Sequence, residues 1–357
     1  MRSPTEHFAQ ILQLARESRG LSQTQLAHSA QVTQGTISFL ENGMMEINET
    51  LLQKLATALD YPTSFFRRQT SLYNPNNYFW RKRSKVPGKA IKQAEALMNI
   101  YKMGIETMLK SVDLPDTTLF NWDVTKDGTP EEAAKQLRKV WRLPKGRIDN
   151  LTTVAENNGV LIIHVDYGIS ELDGLNIHTT HRQPIIFLNR DKPSDRMRLN
   201  LAHELGHLIL HCDSPVSTER DVETEAFAFA SELMMPADEI RPQLSNLDLA
   251  KLADLKRHWK VSMAAILMWA IKLSFVPPQR ALSIRKALAP YRLQEPANLS
   301  FPRETPKLLQ EVIDAHLNDL GYTMENVASL ACLYDKEFQE RFMPYYQDGR
   351  IRLRVNR

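Results

Sequence analysis

His203 and His207 are the first residues of this 357-residue sequence whose types and spacing specify a chemistry. On a helix, positions i and i+4 lie over one face, so both imidazoles can reach a single cation. Glu204 between them is turned about 100° round the helix, where its carboxylate can hold a water rather than the metal. Leu201, Leu205, Leu208 and Cys212 form an apolar stripe on the other side, and Ala202, Gly206, Ile209 and Leu210 extend it. The helix is therefore expected to be buried nearly all round, and buried imidazoles need partners that one metal ion would supply.

A zinc site needs a third protein ligand. The next helix, after the Asp213-Ser214-Pro215 turn, offers Glu219, Glu223, Glu225 and Glu232. Glu223 shares a face with Phe227, Ala230 and Met234, and a carboxylate aimed into a core is costly unless paired or metal-bound. Glu223 is the expected ligand and Glu225, read as lying opposite, the second choice. Asp221 and Glu232 are placed on the solvent side. His211 is read as a packing or supporting residue, and His178 and His181 as exposed loop chemistry. His164, in a strand, is either satisfied in the core or close enough to stabilise an oxyanion.

The elements that must position these residues follow from the pattern. Helices are expected from Pro130 to Trp141 and from Ile148 to Asn157, then a buried strand from Val160 to Val165. Leu175 to His178 and Ile185 to Leu188 read as a hairpin around Thr179 to Gln183, whose first strand could take up substrate as an added strand. Helices then run over Arg196 to Cys212, Arg220 to Met235, Asp248 to Trp259 and Ser262 to Ser274. Two more, Pro306 to Leu320 and Thr323 to Phe342, make up a C-terminal extension.

The first 66 residues carry a second chemistry. Ser22 caps a helix through Ala30, Thr33 caps another through Glu41, and Asn42-Gly43 ends it. Leu26, Ala27, Val32, Ile37 and Leu40 hold the two together, which leaves Gln34, Gly35, Thr36, Ser38 and Phe39 towards the exposed start of the second helix. Short and amide side chains at that place can pair with base edges in a major groove. Residues 1–112 hold fourteen Lys and Arg against eight Asp and Glu, a net +6 in a chain whose total is +3. Such a basic front end suits a nucleic-acid partner.

Leu21-Ser22-Gln23-Thr24-Gln25-Leu26-Ala27 and Val32-Thr33-Gln34-Gly35-Thr36-Ile37-Ser38-Phe39-Leu40-Glu41-Asn42-Gly43 resemble the XRE (lambda and Cro-like) repressor family. The resemblance implies that Gln23 touches a phosphate while Gln34, Gly35, Thr36 and Ser38 face base edges. Phe39 departs from the usual polar residue and would meet a thymine methyl. Leu201-Ala202-His203-Glu204-Leu205-Gly206-His207-Leu208-Ile209-Leu210-His211, with the run from Glu223 to Pro236, resembles the ImmA/IrrE metallopeptidase family. That likeness implies zinc held by His203, His207 and Glu223, with Glu204 as general base.

The expected fold is α+β: an all-α, lambda-repressor-like helix-turn-helix domain and a zincin-like, mainly helical domain with a small sheet. The boundaries are expected at 5–66 for the DNA-binding domain, 67–114 for a basic linker and helix, 115–290 for the peptidase-like domain and 291–357 for the extension. Two cysteines exclude a disulfide framework, and neither a signal peptide nor a membrane span is readable, so a cytoplasmic protein is expected. The function these features imply is transcriptional regulation by a homodimer on a double-stranded DNA operator, with cleavage of the chain itself or of a partner repressor. The alternative is a non-enzymatic repressor whose zinc-peptidase-like domain serves as a sensor, a structural element or an interaction module.

Overall fold

The computed structural model describes residues 4–68, 87–168, 172–179, 183–212, 220–291 and 295–345. The chain divides into two units, one drawn mainly from residues up to Leu114 and from Leu308 onward, the other from Pro115 to Lys307.

The first unit begins with α1 (Pro4–Ser18), α2 (Gln23–Ser29), α3 (Gln34–Glu41), α4 (Glu49–Leu59) and α5 (Thr63–Phe66). Each start has a local cause. Ser22 accepts from the Gln25 amide in a capping box, Thr33 accepts from Thr36 and Asn48 from Leu51. Each cap is worth about 1 kcal/mol. The turn between α2 and α3 places Gln31 at φ 55°, and Ile11, Leu12, Leu26, Ile37, Leu40 and Leu55 close the core beneath it. A longer helix follows, α6 (Gly88–Met108). Of the segment expected at 67–114 as basic linker and helix, residues 69–86, with Arg81, Lys82, Arg83 and Lys85, fall outside the described residues.

The second unit opens with an extended segment whose Trp122 amide donates to the Ile209 carbonyl at 2.9 Å. Then come α7 (Pro130–Val140), α8 (Leu151–Asn157), β1 (Leu161–Val165), β2 (Gly174–His178) and β3 (Pro184–Asn189). The strand order is β1-β3-β2, with β1 parallel to β3 and β2 antiparallel to it. The expected hairpin is therefore present, and β2 is an edge of this sheet. On it packs α9 (Ser194–Leu210), and against α9 lies α10 (Val222–Met234). The two helices come close at Gly206. A Cβ there would stand 3.0 Å from Phe229 Cδ1 and 3.3 Å from the Ala226 backbone. Around this pair stand α11 (Ala237–Ile240), α12 (Leu249–Trp259), α13 (Met263–Lys272) and α14 (Pro278–Leu288). As expected, α9 is buried along almost its whole length.

Glu232 corrects the expectation of a solvent position. It is 1% exposed, because its carboxylate turns back to accept the Ala237 amide at 3.0 Å and so caps α11. Burial raises its pKa, opposed by that hydrogen bond.

The unit closes with the segment before α15, where Glu304 accepts from the Thr152 amide and pairs with buried Arg198. The Glu156 carboxylate then receives the Lys307 amide. From Leu308 the chain belongs to the first unit again, through α15 (Leu308–Asp314), a π-turn over Ala315–Asp319, α16 (Met324–Leu330) and α17 (Asp335–Phe342). The single helix expected from Thr323 to Phe342 is two. Cys332 takes a left-handed φ of 53°, and the Leu333 amide bonds back to Ala328, which ends the first helix. These helices join α1 and α6: Arg19 forks onto Glu337 at 2.5 and 2.9 Å, and the Tyr101 hydroxyl donates to the Arg341 carbonyl.

Candidate metal centre and nucleic-acid interface

The 3.6-residue repeat of α9 puts His203 and His207 on one face, and the first turn of α10 brings Glu223 to it. His203 Nε2 and His207 Nε2 stand 3.0 Å apart. Glu223 offers Oε2 at 3.3 Å from the first and Oε1 at 3.5 Å from the second. The three ligand atoms lie within 4.8 Å of one another, and no other such group of three is found among the described residues.

Burial lowers the pKa of His207 against the pull of Glu223. For Glu223, burial raises the pKa, but hydrogen bonds with His203 and His207 outweigh that and hold the carboxyl well below the usual range. The result is a neutral imidazole beside an ionised carboxylate.

Glu204 is 3% exposed and points towards β2, where Asn176 Nδ2 donates to its Oε2 at 2.6 Å. Its other oxygen lies against Gly174, whose missing side chain leaves the room: a Cβ there would sit 3.2 Å from Oε1. Sequence reasoning missed both residues. The signal was available in the two-residue period of the strand, which sets Gly174, Asn176 and His178 on one face of β2 and Leu175 and Ile177 on the other.

Glu225 is not beside the three ligand atoms, and it does not face away from α9 either. Its Oε2 lies 2.9 Å from His211 Nε2, and Arg220 donates to both its oxygens at 3.0 and 2.6 Å. His211 in turn sets Nδ1 3.0 Å from His207 Nδ1. Burial and the neighbouring His207 lower the His211 pKa to about 4, against Glu225. His211 thus stands between His207 and Glu225 and is not one of the three clustered residues. His164 is buried on β1 and is not in the group of three, its pKa pushed down to about 3 by burial and by Arg303. His178 is half-buried on the edge strand, and His181 and Glu219 fall outside the described residues.

In the first unit, Gln34 is exposed at the first turn of α3, with Gly35, Thr36 and Ser38 half-buried behind it. Gln34 Nε2 donates to Gln23 Oε1 at 2.9 Å, and Gln23 Nε2 donates to Glu41 Oε2 at 2.8 Å. Arg16 forks onto Glu41 at 2.6 and 2.9 Å. This chain of bonds orients both glutamines before any ligand arrives. Phe39, 55% exposed, and Met44, 73% exposed, add apolar surface on and just after α3.

Comparison with known families sets each arrangement within a matched domain. Residues 12–66 match the helix-turn-helix family, and residues 155–269 match a peptidase family described as the IrrE N-terminal-like domain. The chain joins an XRE-type helix-turn-helix domain to an IrrE-like domain. The IrrE-like match takes in the sheet and every residue of the metal-ligand cluster, while the helix-turn-helix match takes in Gln23, Gln34, Gly35, Thr36 and Ser38. No curated protein matches the chain at a significant level. Among the described residues no helix is long and apolar enough to cross a membrane.

Proposed function

We propose that the chain is a sequence-specific, DNA-binding transcriptional regulator whose IrrE-like domain is a zinc metallopeptidase acting on the chain itself or on a partner repressor. The observation that carries the reading is the meeting of His203, His207 and Glu223, with Glu204 held beside them by Asn176. The donor set fits zinc. A tetrahedral ion about 2.0–2.1 Å from each ligand spaces two of them roughly 3.3 Å apart, and the three separations of 3.0, 3.3 and 3.5 Å bracket that edge. Two imidazoles and one carboxylate leave a fourth position open, the ligand count of catalytic rather than structural zinc.

Bound there, zinc would polarise a peptide carbonyl and acidify a water. Glu204 does the proton work. A carboxylate oxygen of Glu204, oriented by Asn176, takes a proton from the water. As the water oxygen bonds to the carbonyl carbon and the C–N bond breaks, the same oxygen returns the proton to the leaving amine. The outer position of β2 in the order of the described strands supports a substrate peptide bound as an added strand, beside Glu204.

At the other end, Gln34, Gly35, Thr36 and Ser38 read base edges, Gln23 holds a phosphate, and a homodimer sets two such helices on a palindromic operator. This reading takes 5–66 as the DNA-binding domain, 67–114 as linker and helix, 115–290 as the peptidase-like domain and 291–357 as the extension.

Zinc content and processing test it together. Wild type and Glu204→Gln are expected to hold about one zinc per chain and Glu223→Ala much less. Glu204→Gln is expected to keep DNA binding and lose the regulatory response. A full response in Glu204→Gln would leave the zinc domain as a sensor or interaction module.

A further inference from the structure

His207 meets two sets of groups through its two ring nitrogens. Nε2 faces His203 and Glu223, and Nδ1 faces His211. A ring that gives its Nε2 lone pair to a cation must carry its proton on Nδ1. That proton then points at His211 Nδ1, which has to be the acceptor. His211 so arranged carries its own proton on Nε2, which points at Glu225 Oε2, 2.9 Å away. Glu225 accepts there, and Arg220 forks onto both of its oxygens from the other side. Every donor in the series finds an acceptor in one direction only, outward from the metal position.

We infer that His211 and Glu225, with Arg220 behind them, are positioning residues that fix the tautomer and orientation of His207 for the metal. The inference rests on the zinc-binding reading of His203, His207 and Glu223, and gives Glu225 a role other than ligand. Three residues support one imidazole because a ring free to turn about χ2 would offer a cation carbon as readily as nitrogen. The imidazole of His211 is the link that spans the distance: it takes a proton on one side and gives one on the other. Among uncharged side chains of similar reach, glutamine can do the same, since its carbonyl accepts and its amide donates. Leucine fills space and does neither.

The test uses the full-length protein, loaded with zinc and titrated with a chromophoric chelator, in wild type, His211→Leu, His211→Gln and Glu225→Gln. Zinc affinity is expected to fall 10- to 100-fold in His211→Leu, the range for lost supporting partners of a metal-bound histidine. Recovery to within a few-fold of wild type is expected in His211→Gln. The visible spectrum of the cobalt-loaded chain should shift in the leucine variant and return in the glutamine one. Unfolding of the metal-free proteins separates positioning from folding, because a merely structural role would lower that midpoint without a glutamine rescue of affinity. Should His211→Leu fail to fold, His211→Gln and Glu225→Gln carry the comparison, with Glu225→Gln expected to weaken zinc and shift the cobalt spectrum. Equal zinc affinity and equal spectra in all four proteins would overturn the inference and leave the zinc site standing. A wild type that holds no zinc would instead remove the reading on which it rests.

Discussion

Gly206→Ala sets two effects of known size against each other. In an isolated helix the change stabilises by about 1 kcal/mol, because alanine has less backbone freedom to lose. Here the added Cβ would lie 3.0 Å from Phe229 Cδ1 and 3.3 Å from both Ala226 Cα and its carbonyl oxygen. Ordinary carbon contacts fall at about 3.5–4.0 Å, so the shortfall is roughly half an ångström on two sides. Phe229 is fully buried and Ala226 presents backbone, so neither yields cheaply. Overpacking of this kind costs about 1–3 kcal/mol, which outweighs the propensity gain and leaves a net loss of about 1 kcal/mol. The strain falls on the separation of α9 and α10, and Glu223 sits one turn before Ala226. Its carboxylate should therefore draw away from His203 and His207, with a zinc affinity lower by about tenfold. Urea unfolding followed by tryptophan fluorescence reads mainly the right part of the chain, since four of the five tryptophans, Trp122, Trp141, Trp259 and Trp269, lie in the second unit. Chelator competition reads the site. A metal-free protein made more stable by about 1 kcal/mol, with unchanged zinc affinity, would refute the argument that close helix approach sets the ligand geometry.

Two further outcomes follow from a buried histidine and from the exposed start of α3. Gln34→Ala is expected to weaken binding to a cognate operator by about 1–3 kcal/mol in fluorescence anisotropy while leaving non-specific binding nearly unchanged; equal losses on both DNAs would make Gln34 a backbone contact instead. His164 gives a pH signature: its folded pKa of about 3 lies below the ordinary 6.5, so between those values the unfolded chain takes up a proton that the folded chain refuses. Its contribution to stability is intact above pH 6.5 and is lost as pH falls, at about 1.4 kcal/mol per unit at most. His164→Asn should flatten that part of the profile, and an unchanged slope would show that the acid sensitivity comes from other groups.

What the sequence made legible was local. Ser22 and Thr33 announce their helices because a cap is a contact between near neighbours, and His203 and His207 announce a shared face because about four residues make one helical turn. The choice of Glu223 over Glu225 also followed from a helical face. The features that escaped depend on a partner far along the chain or on a reversal of expected chemistry. Asn176 meets Glu204 across 28 residues, and Glu225, read as lying opposite and as the second-choice ligand, meets His211. Glu232 is buried because it caps the next helix, and a strip of alternating polarity cannot reveal that. Cys332 breaks a helix in a conformation usually left to glycine or asparagine, so no residue type marked the break. The return of residues 308–345 to the first unit rests on pairs such as Arg19 and Glu337, 318 positions apart.

That return has a bearing on how backbone scission would be detected. Helices α1 to α5 are held to α6, α16 and α17 by Arg19 on Glu337 and by Arg68 on the carbonyls of Met103 and Leu330. A break between residues 68 and 87 would leave two polypeptides that still migrate as one particle, so a denaturing gel would report two bands where gel filtration reports one peak. In a molecule built this way, severed and separated are different events, and the second would need an input of its own.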